Sequence, residues 1–221
     1  WADAAKREIA DLHASGDVPI LVGGTGLYIR TLLDGIAPIP AIPDHVRDAV
    51  RAMPTPDAYA ELALEDPASH ARLDPGDSQR ISRALEVVRA TSLTLGEWQE
   101  RREGGIGDAV SLNPVILLPE REWLYARCDM RFVQMLDEGA VTEVEALLER
   151  NLAPDLPVMR AIGVREITGW LRGEWSREEM IETGQRSTRN YAKRQYTWLR
   201  HQPPADWPRV ENASDALAVL A

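Results

Sequence analysis

Two short apolar runs, separated by a long stretch of helical periodicity, constrain the fold of this chain more than any other feature. Residues 18–22 are apolar and enter the turn Gly23-Gly24-Thr25-Gly26, and residues 114–118 form a second such run after a glycine-rich link. A compact apolar run bounded by turn residues predicts a buried strand, and helical patterns flank both runs. We therefore predict an α/β fold in which the two runs share one sheet.

Proline and glycine divide the chain. Three prolines between residues 37 and 43 predict an extended connection, and residues 44 to about 99 show helical spacing alone. We predict an α/β core with C-terminal helices, formed by residues 1–43 and 113–221, and an all-helical insertion domain at residues 44–112. Helices are also expected at residues 4–15, ending at Gly16, and from Leu27 to near Gly35. The proline-containing tail from Gln202 is expected to be loosely attached.

The formal net charge of −10, taken alone, argues against nucleic-acid binding, because phosphate binding is largely electrostatic. The charge is unevenly distributed, however, since residues 186–200 contain five cationic side chains and no acidic one. The single cysteine, Cys128, excludes an internal disulfide and indicates a reducing compartment, the cytoplasm. No apolar run is long enough to cross a membrane. The first residue is Trp1, so we expect the natural start to lie upstream.

Residues 186–200 combine cationic and aromatic side chains at helical spacing. Steps of three, four and seven residues separate Arg186, Arg189, Lys193 and Arg200, which therefore lie on one side of a helix. Tyr191 and Trp198 are seven residues apart and lie on a different side. Such a helix can lie on an RNA backbone with its aromatic side packed in the core. A solvated basic face is the alternative.

A second cationic group lies in the helical region. Gln79, Arg80 and Arg83 share one helical face, which suits base edges and phosphates. The alternative is a solvated helix in which the arginines pair with Asp77 or Glu86.

Arg127 and Arg131 lie four residues apart in a predicted helix, so their guanidinium groups are able to clamp a diphosphate. Salt bridges to Asp129 or Glu122 are the alternative. Cys128, on the apolar side of the same helix, is expected to fill the core rather than act as a nucleophile.

Residues 21–28 place flexible backbone at the end of a predicted strand, where α/β proteins bind ligands and helix amides receive anions. The run is not a Walker loop, because no Gly-Lys-Ser/Thr follows, and an ordinary strand-to-helix turn remains the alternative. The four histidines lack the spacing of metal ligands, so no zinc site is predicted.

In their order and in their amino-acid sequences, these segments resemble the tRNA dimethylallyltransferases. The resemblance covers nearly the whole chain and is carried by five blocks: Leu21-Val22-Gly23-Gly24-Thr25-Gly26-Leu27-Tyr28, Asp77-Ser78-Gln79-Arg80-Ile81-Ser82-Arg83-Ala84-Leu85-Glu86-Val87, Arg131-Phe132 with Met135-Leu136, Met159-Arg160-Ala161-Ile162-Gly163, and Lys193-Arg194-Gln195-Tyr196-Thr197-Trp198-Leu199-Arg200.

The resemblance implies a P-loop-NTPase-like core, incomplete in this chain, with an all-helical insertion domain. It implies transfer of a dimethylallyl group from dimethylallyl diphosphate to the N6 amine of an adenine beside the tRNA anticodon. The family's nucleotide-binding phosphate loop, its main Mg²⁺ ligands and its Asp-Ser segment, whose aspartate deprotonates the amine, would precede Trp1. By this resemblance the chain alone is inactive, and the intact protein is a cytoplasmic monomer that binds the tRNA anticodon loop and no membrane.

The resemblance also implies roles for individual residues. Thr25 and Arg131 are the expected catalytic residues, and Arg131 and Gly24 are expected to bind the diphosphate. The expected tRNA-binding residues are Thr25, Arg47, Gln79, Arg80, Ile81, Ser82, Arg83, Arg160, Ala161, Ile162, Gly163, Val164, Arg165, Lys193, Arg194, Gln195, Tyr196, Thr197, Trp198, Leu199 and Arg200.

Two other functions remain open at this point. One is an adenylate prenyltransferase that makes a free cytokinin. The other, if the chain truly starts at Trp1, is an RNA-binding protein without catalysis.

Overall fold

A computed structural model describes residues 1–220, which are mostly helical with one small parallel sheet. The chain divides into two compact units, unit 1 at Trp1–Leu112 and unit 2 at Asn113–Ala221. The described helices are α1 Ala2–Ser15, α2 Gly26–Asp34, α3 Asp44–Arg51, α4 Thr55–Glu65, α5 Pro67–Arg72, α6 Ser78–Thr91, α7 Leu95–Gln99, α8 Arg121–Met135, α9 Val141–Glu149, α10 Val164–Leu171, α11 Arg177–His201 and α12 Ala213–Leu220. Within residues 1–220, no helix is both long and apolar enough to span a membrane.

The helices of unit 1 lie where glycine and periodicity predict them. Helix α1 ends at Gly16, which adopts a left-handed conformation with φ of 81°, and α2 ends at Gly35. Between residues 44 and 99 the structure contains only helices and their connections, which confirms the helical character predicted for that region. The assignment of residues 44–112 to an insertion within one core stays a prediction.

The core of unit 1 forms where α3, α4 and α6 present apolar side chains to one another. Its buried members are Val50, Ala58, Leu62, Ile81, Ala84 and Leu85. Burying a side chain of leucine or isoleucine size contributes roughly 1.5–3 kcal/mol, so this cluster is the main source of stability for these helices.

The glycine-rich link closes against the end of α2. Ile36 and Glu103 form an antiparallel bridge, with Ile36 N–H donating to the Glu103 carbonyl at 3.0 Å and Glu103 N–H donating in return at 3.1 Å. A Cβ on Gly35 or Gly105 would overlap the facing backbone, so this approach requires glycine at both positions. The link thereby fixes the C-terminal end of α2.

The strand predicted at residues 18–22 is wrong for the described structure. These residues have no regular secondary structure, and Val18 and Val22 are 84% and 89% exposed. A strand needs a neighbouring strand to pair its N–H and C=O groups, and no described residue pairs with this segment. The prediction that it shares a sheet with residues 114–118 is therefore not met.

In unit 2, the second apolar run does form a strand, but its partner is the tail. Strand β1, Ile116–Leu117, pairs in parallel with β2, Arg209–Val210. The guanidinium of Arg209 donates hydrogen bonds to main-chain carbonyls of the tail, those of Pro203, Pro204, Ala205 and Trp207. The expectation of a loosely attached tail is wrong. The tail pairs with β1, and the Arg209 side chain donates to main-chain carbonyls that have no partner in regular secondary structure.

The helices of unit 2 meet around Phe132 of α8, the single phenylalanine of the chain, which is 1% exposed. Phe132 clusters with Val144, Ile167 and Met180, from α9, α10 and α11. Its ring lies directly against Gly184 of α11, where any Cβ would overlap ring atoms. The close packing of α8 on α11 therefore requires a residue without a Cβ at position 184.

This contact gives a stability prediction. Gly184→Ala should destabilise unit 2 by about 1–3 kcal/mol, because overpacking a filled core outweighs the usual preference of helices for alanine. Gly96→Ala is the matched control, since that glycine is also helical and its nearest neighbour lies 3.9 Å from the added Cβ. Urea unfolding of both variants measures the difference; equal midpoints would contradict the packing described here.

Candidate nucleic-acid interface

The long helix α11 carries the basic segment predicted from the sequence. It begins with a capping box, in which Glu179 N–H donates to the Ser176 hydroxyl and Ser176 N–H donates to the Glu179 carboxylate. Lys193 and Arg200 are exposed and form no ion pair within residues 1–220. The helix thus presents cationic groups that have no acidic partner in the described chain.

One member of the predicted basic face has a structural role instead. Arg189 pairs with Asp129 of α8, and Gln185 donates from Nε2 to the Asp129 carbonyl at 3.2 Å. These contacts join α8 to α11 beside the Phe132–Gly184 contact. Arg189 therefore differs from Lys193 and Arg200, and local spacing cannot reveal the difference because Asp129 is 60 residues away.

The aromatic side of α11 is only partly buried. Trp198 is half-buried, but Tyr191 is 41% exposed, so the prediction that it packs in the core is wrong. The Arg194 guanidinium lies 5.6 Å from the centroid of the Tyr191 ring, and Arg121 lies 5.7 Å from that of Tyr196. Stacking of this kind restrains a guanidinium without neutralising its charge.

A cavity of about 840 Å³ lies between α10, α11, the end of α9 and the segment that connects α9 to α10. Four arginines line it: Arg160, Arg165, Arg172 and Arg194. None of them is ion-paired among the described residues. The predicted segments 160–165 and 193–200 thus meet at this cavity, which the sequence alone did not show. Such a group of guanidiniums suits phosphate oxygens.

Four further residues line this cavity and were not predicted as site residues: Arg172, Asn190, Glu166 and Ser187. Glu166 had a detectable signal, because it is the third residue after Gly163 and so fits a capping pattern at the start of α10. Ser187 and Asn190 lie within the basic segment 186–200 but carry no charge, and Arg172 joins the predicted segments only in the folded unit.

Arg131 is exposed on α8 and forms no ion pair within the described residues. Its alternative partner Asp129 is bound to Arg189, and Arg127 lies over the Trp123 ring at 5.0 Å from its centroid. The salt bridges that the sequence offered as the alternative for these two arginines therefore do not form. Partial burial raises the pKa of the Cys128 thiol, with Arg131 opposing the shift, which disfavours the thiolate that a nucleophile needs. Cys128 is only partly buried, so it does not fill the core as predicted.

The candidate arginines of unit 1 have acidic partners. Arg80 pairs with Asp77 at 2.7 Å and Arg83 with Glu86 at 3.8 Å, as the alternative predicted. Gln79 is exposed and Ser82 is half-buried on the same helix. Ile81 is fully buried in the core, so its side chain supports the helix and does not reach the surface.

Arg47 is also paired, donating to the Asp44 carboxylate at 2.8 Å and to the Ile42 carbonyl at 3.2 Å. Exposed pairs of this kind are worth only about 0–1 kcal/mol, so phosphate can displace the acid. The paired state makes these arginines weaker candidates than the unpaired ones of unit 2.

Thr25 lies immediately before α2, and its carbonyl accepts hydrogen bonds from the N–H groups of Tyr28 and Ile29. Its hydroxyl makes no hydrogen bond within residues 1–220, and Gly24 beside it is half-buried. A free hydroxyl and the N–H groups of a helix start suit an anionic or polar ligand.

No group of three or more metal-binding side chains comes together among residues 1–220. The resemblance places the main Mg²⁺ ligands before Trp1, so this observation does not test them.

Comparison with known proteins places these features in one family. Residues 1–202 match the family model for IPP transferase. The chain is 64% identical to the tRNA dimethylallyltransferase of Erythrobacter litoralis over 96% of this chain and 67% of that protein. It is also 64% identical to that of Novosphingobium aromaticivorans, over 100% of this chain and 79% of that protein.

Solved structures agree with the family model. The tRNA isopentenylpyrophosphate transferase of Bacillus halodurans matches with a TM-score of 0.60 and 28% identity, over 99% of this chain and 69% of that one. A eukaryotic dimethylallyltransferase acting on tRNA matches with a TM-score of 0.68 and 26% identity, over 90% and 51%. On these matches, the chain belongs to the IPP transferase family.

Proposed function

We propose that this chain carries the tRNA-binding and diphosphate-binding residues of a tRNA dimethylallyltransferase. The enzyme transfers a dimethylallyl group from dimethylallyl diphosphate to the N6 amine of an adenine next to the anticodon. The observation that carries the proposal is 64% identity to two proteins of that name across nearly the whole chain. The single cysteine supports a cytoplasmic setting, where tRNA is also found.

The arrangement of cations in unit 2 supports a polyanionic substrate. Arg160, Arg165 and Arg194 line one cavity without acidic partners in the described residues, and Lys193 and Arg200 are exposed nearby in sequence on α11. Unpaired guanidiniums bind phosphate without first breaking an ion pair. Phosphate binding depends on these unpaired groups and on their neighbours in the cavity, which include Glu166 and Glu174, more than on the net charge of the chain.

The chemistry requires stabilisation of a leaving group. The lone pair of the adenine N6 attacks the first carbon of the dimethylallyl group, the bond from that carbon to oxygen breaks, and diphosphate departs with the electron pair. The amine then loses a proton to a base. Arg131, exposed and without an acidic partner in residues 1–220, is proposed to bind the diphosphate as its charge develops. Gly24 and Thr25 are proposed to approach the diphosphate and the target nucleotide.

The exposed apolar segment supports the P-loop-like core. Val18, Ile20 and Val22 are more than four-fifths exposed. Residues 18–22 have the apolar composition of a buried strand, and exposing such side chains to water is unfavourable. We propose that further residues of the intact protein cover these side chains and complete the P-loop-like core, while residues 18–22 themselves form no strand in the described structure.

Nucleoside analysis tests the proposed reaction. Unmodified tRNA is incubated with dimethylallyl diphosphate and the protein produced from its whole gene, digested, and examined by mass spectrometry for dimethylallyl adenosine. The proposal expects the modified nucleoside from tRNA and none from adenosine monophosphate. Modification of the mononucleotide instead would indicate the cytokinin-forming alternative, and binding without any product would indicate the RNA-binding alternative.

The first site prediction concerns Arg131. In the active enzyme, Arg131→Ala should lower turnover by about 30- to 1000-fold, since a charge-assisted contact to a leaving group supplies roughly 2–4 kcal/mol in the transition state. The KM for dimethylallyl diphosphate should rise, whereas the affinity for tRNA should stay near the wild-type value. Arg177→Ala is the control, because it removes the same charge from an exposed position on α11 outside the proposed sites. Wild-type turnover in Arg131→Ala would remove this residue from the site.

The second prediction concerns Lys193 and Arg194. Replacing both with alanine should weaken tRNA binding and reduce the slope of log affinity against log salt by roughly 0.7–0.9 for each lost phosphate contact. The adjacent pair Lys6 and Arg7 of α1 is the matched control, with the same residue types and the same loss of charge. A binding titration at several salt concentrations measures the slopes. The same slope in both double variants would refute a phosphate contact at Lys193 and Arg194.

A further inference from the structure

Glu166 is a buried carboxylate at the floor of the arginine-lined cavity. It is 5% exposed, and its two oxygens have different partners. Gly163 N–H donates to Oε2 at 3.0 Å, and the Ser187 hydroxyl donates to Oε1 at 2.9 Å. Burying a carboxylate is costly unless its oxygens are hydrogen-bonded, and these two contacts give each oxygen of Glu166 a donor.

The first contact fixes the turn that carries two of the arginines. Gly163 has φ of 99°, in the left-handed region that favours glycine, and lies between Arg160 and Arg165. Because the Glu166 carboxylate holds the N–H of Gly163, the turn cannot rotate freely about this residue. The directions in which the chain enters and leaves the turn are set by the same bond.

The second contact joins this turn to α11. Ser187 and Arg194 lie seven residues apart, which is two helical turns, so they share a face of α11. Asn190 lies between them and lines the same cavity. The bond from Ser187 to Glu166 therefore links the start of α10, beside the turn, to the face of α11 that carries Arg194.

We propose that Glu166 and Ser187 are positioning residues, which hold Arg160, Arg165 and Arg194 at the spacing that successive tRNA phosphates require. They act through the arginines and do not touch RNA themselves. The inference rests on the proposed tRNA binding of this surface. It assigns a specific task to two residues that neither the motifs nor the family resemblance singled out.

The decisive variant is Ser187→Ala, which removes the bond to Glu166 and leaves every charge in place. We expect the Kd for tRNA to rise about threefold to tenfold, the size of effect that one lost hydrogen bond produces. KM for tRNA should rise in parallel, kcat at saturating tRNA should stay unchanged, and the salt slope should stay at its wild-type value. Thr188→Ala is the control, because its hydroxyl bonds only to the Gly184 carbonyl within the same helix.

Glu166→Ala and Glu166→Gln provide a second measurement. The amide of glutamine retains an acceptor for Gly163 and a group able to bond Ser187, so Glu166→Gln should recover most of the affinity that Glu166→Ala loses. Equal affinity in Ser187→Ala and Thr188→Ala would overturn the proposal. A rise in Kd that follows a fall in melting temperature across all variants would also overturn it, by assigning the two residues to folding. A wild-type protein without salt-dependent tRNA binding would instead reject the proposed function itself.

Discussion

The packing of Phe132 on Gly184 is the constraint on which the rest of unit 2 depends. The two residues bring α8 and α11 close enough for Asp129 to accept from Gln185 and pair with Arg189. The same ring also lies 3.9 Å from the position of a Cβ on Gly163, at the turn between Arg160 and Arg165. One aromatic side chain therefore supports the helix that carries Arg131, the helix that carries Arg194 and the turn that carries Arg160.

The distribution of ion pairs explains how an acidic chain can bind an anion. In unit 1, Arg47, Arg80 and Arg83 have carboxylate partners. In unit 2, the arginines of the cavity have none among the described residues, and Arg189 is the member of α11 that pairs with an acid. Net charge reports the sum of these groups, whereas phosphate binding depends on the unpaired ones and their spacing.

Much of the local structure could be predicted from the sequence, because its signals are local. Gly16 and Gly35 end helices, and apolar periodicity identifies the helices between residues 44 and 99. The errors concern contacts between distant residues. Residues 18–22 have the composition of a strand but no partner within the described chain, and β1 pairs with a tail that was expected to be loosely attached. Periodicity shows which face is apolar and does not show what will pair with it.

The candidate site shows the same difference between local signals, which the sequence reveals, and contacts between distant residues, which it does not. The blocks at residues 160–165 and 193–200 were found from the sequence, but their meeting at one cavity was not, nor was the buried Glu166–Ser187 bond that joins them. The sequence also could not show that Asp129 pairs with Arg189 and leaves Arg131 without an acidic partner among the described residues. Such choices depend on helix packing, which Gly184 makes possible.

The central claim is that tRNA lies on the unpaired arginines of unit 2. Photo-cross-linking of the protein to tRNA that contains 4-thiouridine in the anticodon loop tests this most directly, with the linked peptides identified by mass spectrometry. The account predicts cross-links in peptides that contain residues 160–165 and 193–200, and none in the acidic helix α4 of unit 1. Cross-links concentrated in α4, or absent from both basic segments, would contradict it.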